Sequence, residues 1–97
     1  VLEVSIHPAA VVEAREARLW YLARSADAAS AFVAEIDRAL ARIAESPNRW
    51  PERSDGRRRY ALRRFPFIVI FRVESDVLRV LAVQHGRRRP EYWKARK

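Results

Sequence analysis

Two apolar runs of strand length, FPFIVIFRV and DVLRVLAV, stand end to end with only Glu74 and Ser75 between them. Runs this rich in Val, Ile, Leu and Phe fit a pleated, half-buried surface. So short a connection leaves one arrangement, an antiparallel hairpin turning at Ser75-Asp76. Strands are expected at about 58–64, 67–74 and 77–84, with Pro66 at the junction of the first two. The hairpin runs directly into HGRRRPEYWKARK, so a histidine, an arginine cluster and two aromatics leave the sheet together.

Upstream the period changes. VLEVSIH alternates, with Leu2, Val4 and Ile6 on one face, which reads as a short strand with one buried side. Pro8 then suits the first turn of a helix. Residues 9–24 are rich in Ala, Glu, Arg and Leu and contain no Gly or Pro, so a first helix is expected there. Ala10, Ala14, Ala17 and Tyr21 recur at helical spacing. Ser25 offers an N-cap, with Asp27 in the first turn. Phe32, Val33, Ile36, Leu40 and Ile43 form the apolar stripe of a second helix ending at Pro47. So short a connection makes the two helices an antiparallel hairpin. SPNRWPERSDGRR, with two prolines and a glycine, is loop.

The order strand, helix, helix, strand, strand, strand predicts a single α+β domain over residues 1–97. A three-strand antiparallel meander carries a helical hairpin on one face, and the first strand adds to one side of it.

Charge is split along the chain. Residues 1–52 carry six Arg and eight Asp or Glu; residues 53–97 carry fourteen Lys or Arg and four Asp or Glu. A net charge of +8 concentrated in one half marks a surface for a polyanion or an acidic partner. With no cysteine there is no disulfide and no thiolate metal site, and the two histidines lack a nearby carboxylate pair. No metal or cofactor is expected, since Gly56 and Gly86 alone cannot build a phosphate loop. No apolar run approaches the roughly 20 residues of a membrane span, and no signal-peptide layout opens the chain. A cytoplasmic location is the expectation.

His7, beside a proline, reads as structural. His85 leaves the last strand before Gly86 and the arginines, where it is either a general acid–base group or a packed strand-end ring. Arg57, Arg58, Arg59, Arg63 and Arg64 surround one strand, Arg72 and Arg79 face across the turn, and Arg87, Arg88 and Arg89 follow the last strand. Guanidinium forks suit phosphate or carboxylate. Tyr92 and Trp93 either stack on bases or fold back on the core, and Trp20 and Trp50 carry the same two readings.

The stretch RRYALRRFPFIVIFRVESDVLRVLAVQHGRRRPEYW resembles the RelE/ParE superfamily of bacterial type II toxin–antitoxin toxins, whose layout matches nearly the whole chain. The resemblance implies one of two activities. RelE-like members cleave mRNA in the ribosomal A site; ParE-like members inhibit DNA gyrase by binding it. Ribonuclease members place an Arg after the aromatic of the third strand, where this chain has Ile68 after Phe67. Loss of that cation removes transition-state stabilisation. The His-Gly-Arg-Arg ending is closer to the ParE branch.

The expectation is therefore a ParE-type gyrase inhibitor neutralised by a cognate antitoxin. Arg87, Arg88, Arg89, Arg63 and Trp93 are its candidate target contacts, and Trp20 and Tyr21 its candidate antitoxin contacts. The alternative is a metal-independent, ribosome-dependent endoribonuclease using His85 and Tyr92, with Arg64, Arg72 and Arg79 on phosphate. A non-toxic relative that binds nucleic acid or antitoxin is the third reading. A homodimer and a toxin–antitoxin heterotetramer are both expected assemblies; a membrane partner is not.

Overall fold

A computed structural model describes residues 2–97. Strand β1 (Glu3–Ile6) leads into helices α1 (Pro8–Leu22) and α2 (Ala26–Glu45). A short 3-10 turn (Pro47–Arg49) and a loop precede β2 (Arg58–Ala61), β3 (Phe67–Glu74) and β4 (Val77–His85). Both helix starts have local causes. The His7 Nδ1 accepts the Ala9 N–H at 3.0 Å with Pro8 in the first turn, and the Ser25 Oγ accepts the Ala28 N–H at 3.2 Å.

The sheet order is β1-β4-β3-β2. The C-terminal three strands form the expected antiparallel meander. β1 joins its outer side parallel to β4, from Glu3 opposite Val77 to Ile6 opposite Val80, so the sheet is mixed. Val4 and Ile6 stay about 38 % and 37 % exposed, against the expected buried face. Their register puts them beside Leu78 and Val80 on the helix side, but at an edge strand that has a neighbour on one flank only. Val33 of the α2 stripe is likewise exposed.

Two features shape the site. Between Phe71 opposite Val80 and Ile70 opposite Ala82, Leu81 is an extra residue, a β-bulge. Past it the alternation of β4 is reset, so Leu78, Val80 and Val83 all join the core under the helices with Phe32, Ile43, Val69 and Phe71. Leu81 and Ala82 turn to the other face, where with Ile70 they form a second small core closed by Trp93. The second feature shortens β2, expected to reach 64. The buried Glu35 carboxylate of α2 accepts the backbone N–H groups of Arg63 and Arg64. Those amides are thereby taken from the ladder, and the chain turns over at 62–66.

Candidate functional site

A groove of about 370 Å³ lies between α1 and the edge of β4. Its α1 wall is one helical face, Glu13, Ala17, Trp20 and Tyr21, at the three- and four-residue spacing that aligns side chains. Val83 and His85 form the opposite wall, and Arg88 closes the far end. The groove exists because β1 pairs with β4 only as far as Val80. Beyond that point the edge of β4 has no strand beside it, and side chains take over. Glu13 Oε1 accepts the Val83 N–H at 2.9 Å, and the Arg96 guanidinium donates to the Leu81 carbonyl at 3.1 Å.

Glu13 is the organising residue. Buried at 8 % exposure, its carboxylate also meets Arg96 at 3.0 Å and Arg88 at 3.5 Å. A buried carboxylate demands such partners. The Tyr92 ring lies under both guanidiniums, with Arg88 3.8 Å and Arg96 5.0 Å from its centroid. Burial first, and then the adjoining Glu13 carboxylate, push the Tyr92 phenol above its usual range, although the hydroxyl makes no well-formed hydrogen bond. α1, the β4 edge and the C-terminal segment therefore meet at one side chain.

Trp20 is half exposed on the groove rim, with the Arg24 guanidinium 3.4 Å over its ring. Tyr21 plays two parts. It lines the groove and also joins Phe32, Phe65 and Phe67 in an aromatic cluster, with ring centroids 5.4, 4.9 and 6.5 Å away. Burial raises its phenol above the usual value. His85 packs edge-on against Phe67 at 5.0 Å, and its Nδ1 accepts the Arg87 N–H at 3.0 Å. The neutral ring thus carries its proton on Nε2.

Trp93 is buried at 1 % exposure and donates its indole N–H to Gln84 Oε1 at 2.8 Å. The indole is a core element that fixes the segment's path. Arg57 and Arg59 lie 5.9 and 5.2 Å over its ring, and Arg59 pairs with Asp55 at 3.1 Å. Burial alone would raise the Asp55 carboxyl, but the Arg57 N–H and the Arg59 guanidinium outweigh it and hold it below its usual value. Arg87 and Arg89 are exposed, with no ion pair among the described residues.

The five residues of the ribonuclease alternative are spread over the fold. His85 and Tyr92 both approach Arg88. Arg72 and Arg79 sit opposite each other at the far end of the β3–β4 hairpin. Arg72 pairs with Glu74 at 2.7 Å, and Arg79 donates to Ser5 at 2.7 Å and to the Lys97 carbonyl at 3.2 Å. Arg64 and Arg63 lie at the β2–β3 turn beside α2. Ile68 packs on the second core beneath Trp93.

Sequence reasoning missed Glu13, Glu35 and Gln84, all buried. Their signal was present for the first two: Glu13 falls within the face of Ala10 and Ala17, and Glu35 within that of Phe32 and Ala39. A carboxylate at the centre of an apolar stripe has a partner on another element. Among the described residues no helix is long and apolar enough to cross a membrane.

A family model described as ParE toxin of the type II toxin–antitoxin system, parDE, matches residues 4–90. Among curated proteins none matches the chain. A solved structure described as the chromosomal ParDE TA system from P. aeruginosa superposes with a TM-score of 0.75 at 19 % identity. The match covers 87 % of this chain and 95 % of that one. At that identity the likeness carries the fold alone.

Proposed function

Since the chain belongs to the ParE toxin family of type II toxin–antitoxin systems, we propose that it inhibits DNA gyrase by binding it and is silenced by a cognate antitoxin. Its place of action in this reading is the cytoplasm. The observation that carries the antitoxin half is the groove beside the unpaired end of β4. An antitoxin segment enters there with apolar side chains against Ala17, Trp20 and Tyr21. Because Glu13 and Arg96 already occupy the Val83 N–H and the Leu81 carbonyl, the segment docks chiefly by helix-in-groove contacts.

The target half rests on the C-terminal segment. Trp93, Tyr92 and the Glu13 ion pairs anchor it, so Arg87 and Arg89 project from a fixed base. Rigid presentation lowers the ordering cost of binding, which favours recognition of a protein surface. Arg88 is held by Glu13 and Tyr92 and shapes the segment as well as bordering the groove. Arg63, on the β2–β3 turn whose Pro66 carbonyl accepts the Gly86 N–H, is a second exposed cation for the same target.

The test is a gyrase supercoiling assay with purified chain, run beside ribosome-dependent mRNA cleavage. Blocked supercoiling with intact mRNA is expected, and Arg87→Ala with Arg89→Ala should relieve the block while the melting temperature holds. Codon-phased mRNA cuts with normal supercoiling would overturn the proposal.

A further inference from the structure

A second concavity, about 510 Å³, opens between α2 and the β2–β3 turn. It is lined by Glu35, Arg38, Arg42, Tyr60, Arg63 and Arg64. We infer that this arginine-lined concavity binds the phosphodiester backbone of a nucleic acid. The inference does not depend on the gyrase reading, with which it shares Arg63, and the concavity shares no lining residue with the groove.

Three observations carry it. The first is how the arginines are gathered. Arg38 and Arg42 are one turn apart on α2. Arg63 and Arg64 are brought to them because Glu35 accepts both of their backbone N–H groups. The acid in the cluster thus fixes the loop and forms no ion pair with any of the four guanidiniums.

The second is that, among the described residues, no carboxylate is paired with any of the four. Arg59, Arg72, Arg88 and Arg96 each have a carboxylate partner. Arg38, Arg42, Arg63 and Arg64 have none among the described residues; the one side-chain bond of the set runs from Arg42 to the Tyr60 hydroxyl at 3.4 Å. Four forks against the single Glu35 charge leave the concavity net positive, an oxyanion surface.

The third decides the class of partner. None of the large exposed apolar side chains, from Val4 to Val33, lines this concavity, and Tyr60 is buried at 7 %. A protein interface centres on large apolar or aromatic anchors, and this concavity has no exposed one. Nucleic-acid interfaces are more polar and far more positive. With no exposed ring for base stacking at this site, the contact is to phosphates, and binding is independent of sequence.

The test is fluorescence anisotropy of the full chain with a labelled 20-bp DNA duplex and with a single-stranded RNA, across a salt series. Each phosphate contact contributes roughly 0.9 to the slope of log K against log salt on duplex, and roughly 0.7 on single strands. Arg38→Gln with Arg63→Gln should flatten the duplex slope by about 1.8. Arg15→Gln with Arg18→Gln removes the same charge from exposed positions bordering a different concavity and should leave the slope nearly unchanged. All four substitutions are at exposed side chains, and an unchanged circular dichroism melt checks the fold. A slope change on only one of the two probes identifies DNA or RNA as the source of the phosphates. Equal flattening by both pairs would assign binding to the whole chain's charge and overturn the inference. So would Arg38- and Arg63-dependent binding of polyglutamate with none of nucleic acid.

Discussion

Replacing Glu13 by Gln isolates the role of one buried charge. The amide keeps the side chain's shape and a carbonyl that can still accept the Val83 N–H. What disappears is the charge facing Arg96 at 3.0 Å and Arg88 at 3.5 Å. Arg96 is 17 % exposed and Arg88 51 %, so the two losses are unequal. A hydrogen bond to a charged group contributes about 1.5–3 kcal/mol; a pair exposed on one side contributes about 0–1. Glu13→Gln should therefore destabilise the fold by about 1.5–4 kcal/mol. Glu13→Leu also strands the Val83 amide, adding about 1–3 kcal/mol. Urea unfolding reads both. With a slope of roughly 2 kcal/mol per molar, the Gln variant should lower the midpoint by about 1–2 M. A double-mutant cycle with Arg96→Met assigns the coupling. A loss under about 1 kcal/mol for Gln, or no further loss for Leu, would refute the argument and leave Trp93 alone holding the C-terminal segment.

Three further outcomes are expected. Trp93→Ala should cost about 3–5 kcal/mol and lower Tm by more than about 12 °C, while limited proteolysis opens the chain after Arg87–Arg89; a Tm drop under about 4 °C would show that the second core is dispensable. Trp20→Ala should change stability by no more than about 1 kcal/mol, since the ring is half exposed, yet weaken antitoxin binding at least about tenfold in calorimetry; unchanged affinity would remove the groove from the antitoxin interface. Burial, then Arg79 and Arg96, hold the His7 imidazole below its usual value against a smaller opposing pull from Glu13. The unfolded chain then binds more protons from that lowered value up to about pH 6.5, so His7 stabilises fully above it and less as pH falls through this window. His7→Asn keeps the helix cap and removes this dependence, so parallel losses in the two proteins between pH 7.5 and 5 would count against the burial argument.

The fold was legible where periodicity is local. The apolar runs of strand length gave the β3–β4 hairpin, and the stripe from Phe32 to Ile43 gave α2. The direction of β1 was not legible, because its pairing with Val77–Val80 is closed by the whole intervening chain. The bulge was hidden by composition: Val80, Leu81, Ala82 and Val83 are all apolar, so the reset of facing after Leu81 leaves no polar residue out of place. An unbroken apolar run is itself a sign of burial on both faces. Here it marks the second core, whose cover, Trp93, lies outside any regular element.

The site was half legible for a related reason. Counting arginines located the cationic surface, but charge totals cannot say which cations the fold uses internally. Two carboxylates on apolar helix faces make that division. Glu13 draws Arg88 and Arg96 inward and so fixes the segment carrying Arg87 and Arg89. Glu35 binds amides instead, and so leaves Arg38, Arg42, Arg63 and Arg64 around itself with no paired carboxylate among the described residues. The two carboxylates are chemically identical and both buried. What differs is that Glu13 meets two guanidiniums besides the Val83 N–H, whereas Glu35 meets backbone N–H groups alone. That choice sets which arginines hold the structure together and which remain available to a partner.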